Sequence, residues 1–481
     1  MKVLENVEPK KVMSFFEEIS SIPHGSKNEM QISNYLVNFA KERNLEVIQD
    51  EAYNVIIIKE ATKGYENAEP IILQGHMDMV CEKVKESNHN FKTDPLKLKI
   101  EGKYLTAEGT TLGADDGIAV AMELAVLDSN DLQHPRIECI FTTDEETGLY
   151  GAEAIDVSML KGKKFINIDS EDEGVFTVSC AGGATAISKI PLNFEEITGQ
   201  TFEIKVTGLQ GGHSGAEINK ERLNANIVMG RVLYTLSKDV TFHLMDINGG
   251  NADNVITKEC IANIVVKENA EKVETIINNM QTTMSHECKV TDPNIAITCH
   301  NNNTKTVMAM DDQTTKNVYT LLLAYPQGIY AMSMEIEGLV ESSLNLGILK
   351  TVDYTLHLSA GVRSSVDSRI QFLTDRITAI VAAFNGQTTC EGFYPGWEYK
   401  AESALKDKMV EIFKKQYGKE PVIEAIHAGL ECGMFSQKIE NLDCISIGPD
   451  LANVHTPDEV ADIESIQRVW KFLVEVLKES K

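Results

Sequence analysis

Apolar positions in residues 1–183 follow two rhythms. Short, nearly unbroken apolar runs near 45–49, 54–59, 70–74, 136–142 and 164–168 alternate with helical spacing near 9–20, 27–43 and 116–128. Runs apolar at almost every position suit strands buried on both faces, and strands separated by helical patterns imply a largely parallel sheet. From about 184 the rhythm changes. The pattern predicts strand 201–207, helix 219–237, strands 239–246 and 259–266, helix 270–288 and strand 294–299, one βαββαβ unit. A second pass follows with strand 305–310, helix 314–325, strands 341–349 and 352–359, helix 366–385 and strand 387–392. After Tyr394-Pro-Gly-Trp397 the earlier style returns, with helix 402–417, strand 442–447 and helix 463–479. The expected fold class is α/β. A mostly parallel-sheet domain in two parts, 1–183 and 398–481, is interrupted by an inserted α+β lid domain, 184–397, of two βαββαβ-like halves.

At 481 residues the chain is too long for a single core. Hydrophobic residues make up 43% and no apolar run reaches the ~18 residues that span a bilayer. The opening segment, MKVLENVEPKKVMSFFEEIS, lacks an apolar signal core and reads as an amphipathic helix, so a cytoplasmic location is expected. A formal net charge of −27 opposes binding to nucleic acid or anionic membranes, which need clustered cations. The nine cysteines are scattered without a C-x-x-C pair, which suits reduced thiols.

Against this background, five short strings stand out. They are Gly-His76-Met-Asp78, Gly-Ala-Asp115-Asp116-Gly, Asp144-Glu145-Glu146-Thr-Gly, Asn-Ile-Asp169-Ser and Asn-Val-His455-Thr-Pro. Three of the first four directly follow a predicted buried strand, and ligands of open α/β sheets bind at the carboxyl ends of strands. Singly, each residue has an ordinary reading: Asp115 as a helix cap, Asp169 as a turn former, Glu145-Glu146 as a solvated loop. Together at one sheet edge they point to a two-metal hydrolytic centre, whose ions lie roughly 3.5–4 Å apart. His76 and Asp169 would serve one ion, Glu146 and His455 the other, with Asp115 bridging. Asp78 lies two residues from His76, on the same side of an extended backbone, and would fix its tautomer. Glu145 is left over as general base toward water and proton donor to the leaving amine.

At these residues the chain resembles the co-catalytic zinc exopeptidases, a family that includes dipeptidases, carboxypeptidases and aminoacylases. The motifs LQGHMDMV, GTTLGADDGIA, DSEDEG, CAGG, GGHSGAEI, NGGNADN, YPGW, HAGLECG and SIGP carry the resemblance, and LGAD, HAGLECG and the long insert favour the dipeptidase branch. The resemblance implies a zinc-exopeptidase catalytic domain in which His76, Asp115, Glu146, Asp169 and His455 bind two Zn²⁺, which Co²⁺ or Mn²⁺ can replace. It implies Glu145 as base, Asp78 as the residue orienting His76, and a cis peptide at Asp115–Asp116. In the lid it implies His213 at the scissile carbonyl, Arg363 at the substrate carboxylate and Asn254 at substrate oxygens, and in the HAGLECG segment of the second catalytic part Glu431 at the amine. The expected activity is hydrolysis of unblocked dipeptides, including Xaa-His such as carnosine. The alternatives are an N-acyl amino acid amidohydrolase, a tripeptidase, or a non-catalytic peptide or metal binder, against which Glu145 argues. The partners expected are small peptides, and a doubled lid suits a monomer or a homodimer.

Overall fold

The computed structural model describes residues 3–481, which form two compact units. The first holds the chain up to Ser179 together with Tyr399–Ala425 and Leu430–Lys481; the second holds Cys180–Glu398 and Ile426–Gly429.

The first unit is organised by an eight-stranded mixed sheet with a parallel centre. Ile137–Thr142, Ile71–His76, Lys164–Asn167 and Asp443–Ser446 lie side by side and parallel. Every residue of Ile71–His76 and Ile137–Thr142 is buried, which explains the unbroken apolar runs. The flanking strands Val55–Lys59 and Glu46–Gln49 are antiparallel. Helix Ala114–Asp128 (Ala-Asp-Asp-Gly-Ile-Ala-Val-Ala-Met-Glu-Leu-Ala-Val-Leu-Asp) is buried almost all round, as a helix apolar on every face must be. The last helix, Ile463–Glu479, buries one face only and is capped by Asp462, which accepts from the amides of Glu464 and Ser465. A small four-stranded sheet joins Leu98–Glu101 and Tyr104–Ala107 to Val460–Asp462 and Leu451–Ala452. The periodicity did not reveal it, because these strands are only two to four residues long.

The second unit is built on a nine-stranded antiparallel sheet. Helices Ala225–Leu236, Glu271–Glu287, Asp312–Ala324 and Asp367–Ala382 share one core with it. Its first half runs Ala296–Met310, Phe194–Thr207, Cys260–Val266, Phe242–Gly249 across the sheet; its second runs Val340–Val352, Thr355–Ser364, Gly182–Pro191, Gln387–Tyr394. In order of use within each βαββαβ half these read 4-1-3-2 and 2-3-1-4, a mirrored pair. Residues 305–310 are not the first strand of the second half, as the pattern suggested. They continue the fifteen-residue strand Ala296–Met310, which pairs along Phe194–Thr207. The first strand of the second half is Gly182–Pro191, whose Gly and Ala residues carry too little apolar signal to read as a strand. The helix expected from 219 begins at Ala225, where Asn224 accepts from the Asn226 amide. Glu221, at φ 50°, separates it from the 3₁₀ turn Ile218–Lys220.

Candidate metal centre and substrate pocket

His76 ends the central strand of the first unit. Glu145 and Glu146 open a single helical turn after Ile137–Thr142, and Asp169 follows Lys164–Asn167 by two residues. Three neighbouring parallel strands therefore deliver four polar side chains to one edge. Gly75 is needed there, since a Cβ would fall 2.6 Å from Asp116 Oδ2 and 2.7 Å from Ala119 Cβ. Asp115 sits at the start of Ala114–Asp128, and its peptide to Asp116 is cis. His455 comes from the turn between the paired strands Leu451–Ala452 and Val460–Asp462, at φ 62°.

The side chains converge. His76 Nε2 lies 3.0 Å from Asp115 Oδ1 and 3.6 Å from Asp169 Oδ1. His455 Nε2 lies 3.1 Å from both Asp115 Oδ2 and Glu146 Oε2. Asp115 thus turns one oxygen to each imidazole. Glu145 lies in the group with His76 and Glu146. Glu146 Oε1 is buried with no hydrogen-bond partner among the described residues.

Asp78 does more than face its neighbour. His76 Nδ1 is 3.0 Å from the Asp78 main-chain carbonyl and 3.4 Å from its carboxylate. The carboxylate accepts from Ser26 Oγ at 2.8 Å and from the amides of Glu145 and Glu146 at 3.1 and 3.4 Å. It ties the His76 strand to the turn carrying Glu145.

Electrostatics state what the cluster lacks. Burial works against charging His76, yet its hydrogen bonds to Asp115, Asp169 and Asp78 hold its pKa well above the usual value. Hydrogen bonds to Asp115 and Glu146 push His455 to about 11. Burial raises Asp169 to about 6, and burial also raises Glu145 well above the carboxylate range. Imidazole nitrogens among carboxylates, with one buried carboxylate oxygen unpartnered, form a donor set that fits divalent cations of the zinc type.

Glu431 is fully buried beside this cluster. Its Oε2 accepts from Gln74 Nε2 and from Thr142 Oγ1, while Oε1 has no partner among the described residues. Burial raises its pKa to about 8.

The other three candidates belong to the second unit. His213 Nδ1 accepts from the amides of Gly215 and Ala216, at 3.3 and 3.0 Å, which leaves Nε2 to carry the proton when the ring is neutral. Burial first, then the Arg363 charge, lowers its pKa and favours that neutral form. Gly215 permits the turn: a Cβ would meet the His427 carbonyl at 2.5 Å and Arg363 Nε at 3.1 Å. Arg363 Nη1 donates to Tyr394 Oη at 2.8 Å. A pocket of about 80 Å³ is lined by Thr185, Asp253, Asn254, Arg363 and Tyr394 among others. The Asn254 carbonyl accepts from the Ser214 amide, tying that loop to the His213 turn. His427, with Nε2 2.8 Å from Ser343 Oγ, is lowered to about 3 by burial and by Arg363.

Sequence reasoning did not single out Tyr394, His427 or Ser343. Tyr394 and His427 do lie in the YPGW and HAGLECG strings. Ser343 is placed by register alone, opposite Arg363 on the adjacent strand.

Residues 72–479 match the family described as peptidase family M20/M25/M40, and the chain belongs to it. It is 35% identical to the cytosol non-specific dipeptidase of Escherichia coli (strain K12), over 100% of this chain and 99% of that protein. The crystal structure of aminoacylhistidine dipeptidase from Vibrio alginolyticus superposes with a TM-score of 0.93 at 34% identity, covering 99% of this chain and 98% of that one. A tripeptidase from Staphylococcus aureus shares the fold alone, with a TM-score of 0.56 at 17% identity over 98% and 99% of the two chains. The chain is a peptidase of a metal-dependent family. Among the described residues no helix is long and apolar enough to cross a membrane.

Proposed function

We propose that the protein is a metal-dependent dipeptidase that hydrolyses unblocked dipeptides, Xaa-His peptides such as carnosine included, and works in the cytoplasm. The observation that carries this reading is the Asp115 carboxylate, with one oxygen facing each of two imidazoles, in a chain matched end to end by proteins named as dipeptidases. His76 and Asp169 would hold one Zn²⁺, Glu146 and His455 the other, and Asp115 both. When bound, the two cations supply Lewis-acid polarisation and neutralise the charge that builds on the scissile amide.

The chain's own residues do the rest. Glu145 takes a proton from the attacking water and delivers it to the amide nitrogen as the C–N bond breaks, leaving a free amine and a carboxylate. Asp78 holds the Glu145 turn through main-chain amides while its carbonyl fixes the His76 ring. His213, protonated on Nε2, donates to the carbonyl oxygen as it gains charge. Arg363 binds the substrate carboxylate, Asn254 a substrate oxygen, and Glu431 the amine through its unpartnered Oε1.

The test is hydrolysis of Ala-His, β-Ala-His, Leu-Gly, a tripeptide and an N-acetyl amino acid by Zn²⁺-loaded protein, with and without chelator. Cleavage of the free dipeptides alone, abolished by chelation, is expected. Cleavage of the acetylated substrate instead would make the protein an amidohydrolase, and preference for the longer peptide a tripeptidase. Light scattering would decide between monomer and homodimer.

A further inference from the structure

Glu459 has no part in the ligand cluster, yet it touches both loops that complete it. It is 2% exposed and directly precedes Val460–Asp462, on the same turn as His455. Its Oε2 accepts from the amides of Leu112 at 2.7 Å and Gly113 at 3.1 Å, and its Oε1 from Ala114 at 2.8 Å. A longer contact of 3.5 Å reaches the Asp115 amide. These amides open helix Ala114–Asp128, where N–H groups have no partner within the helix and negative charge is favoured. Gly113, at φ 68°, adopts the left-handed turn that aims them at one point. The main chain of Glu459 is held as well, since Thr106 Oγ1 donates to its carbonyl at 2.8 Å and Thr106 pairs with Val460 in the small sheet.

We propose that Glu459 is a positioning residue that fastens the Asp115 loop to the His455 loop and thereby governs retention of the cation on the His455 side. This rests on the two-cation reading above. The selectivity follows from how the donors are anchored. His76 and Asp169 hang from the parallel strands, and neither depends on Glu459. His455 sits on the turn that Glu459 pins, and its group contains only Asp115 and Glu146 besides. Freeing Glu459 loosens two of the three donors of that group, Asp115 and His455, whereas the His76 side loses only the hold on the shared Asp115 and keeps its two sheet-borne donors. A glutamine would keep the volume but turn an NH₂ toward amides that need an acceptor.

The experiment measures metal rather than turnover. Wild type and E459Q are stripped with chelator and titrated with Zn²⁺ against a chromophoric competitor, and the metal-free forms are melted to compare their folds. Wild type is expected to take up two ions. E459Q should lose about tenfold or more in one binding step and clearly less in the other, which shares Asp115 but keeps its two sheet-borne donors, with excess Zn²⁺ restoring dipeptide hydrolysis. E459D and T106V, which disturb the clamp without removing the charge, should weaken the same step by less, and they serve if E459Q does not fold. Two unchanged steps, or two steps weakened equally, would overturn the role of Glu459 while leaving the dipeptidase reading intact. A wild-type protein that binds fewer than two ions would remove the two-cation reading, and the inference with it.

Discussion

The two polar sites have opposite electrostatic plans. In the first unit, carboxylates crowd two imidazoles so closely that His455 is pushed to about 11. In the second, burial first and then the Arg363 charge drive His213 and His427 toward neutrality. The first site gathers carboxylates; the second presents the Arg363 guanidinium, with Asp253 as its acidic neighbour in the pocket lining. A free dipeptide brings one carboxylate and one amine, so the second plan suits binding a peptide end and the first suits metal-assisted chemistry. Folding divides the work in the same way, with the first site hung on buried parallel strands and the second on turns and strand edges of an antiparallel sheet.

The contrast breaks most visibly at Glu145. E145Q should lower kcat by about 10²–10⁴-fold while metal content stays at the wild-type level, read by rate and metal analysis on one sample. Lost metal would make Glu145 a ligand instead of a base. R363M comes next. It should cost about 2 kcal/mol in binding free dipeptides, seen as a raised KM, with metal content unchanged and little effect on C-terminally amidated peptides. Y394F removes one hydrogen bond from Arg363 and leaves its charge, so about 1 kcal/mol, a several-fold rise in KM, is expected.

The last effect is on stability and not on turnover. His427 has a folded pKa near 3, below the ordinary 6.5, so the unfolded chain takes up this proton first. Its contribution is whole above pH 6.5 and is lost as pH falls from 6.5 toward 3. The gap in melting temperature between wild type and H427Q should narrow through that window. A constant gap would mean that His427 is solvated in the native state.

What could be read in advance follows the same division. Strands buried on both faces leave unbroken apolar runs, so the strand behind His76 and the one before Glu145 stood out, and the polar residues after them were conspicuous. Asp115 was legible for a similar reason, because an all-apolar helix begins at its side. The second unit hides more. Its pocket is assembled by register, as where Arg363 comes opposite Ser343, and no local pattern encodes that. Glu459 was invisible on other grounds: a glutamate in a turn-rich segment reads as solvated until its four amide contacts are seen. Asp78 was read through its carboxylate, but the atom nearest the His76 ring is its carbonyl, and sequence does not record such a choice.

The place of Gly182–Pro191 has a consequence in time. This strand is the first of its unit to leave the ribosome, yet its sheet partners, Thr355–Ser364 and Gln387–Tyr394, emerge only after the entire first half. The first half can close while the chain is still being made; the second must wait with an open strand, Gly- and Ala-rich and weakly sticky, until its neighbours arrive. The same small residues that hid this strand from sequence analysis suit it to that wait.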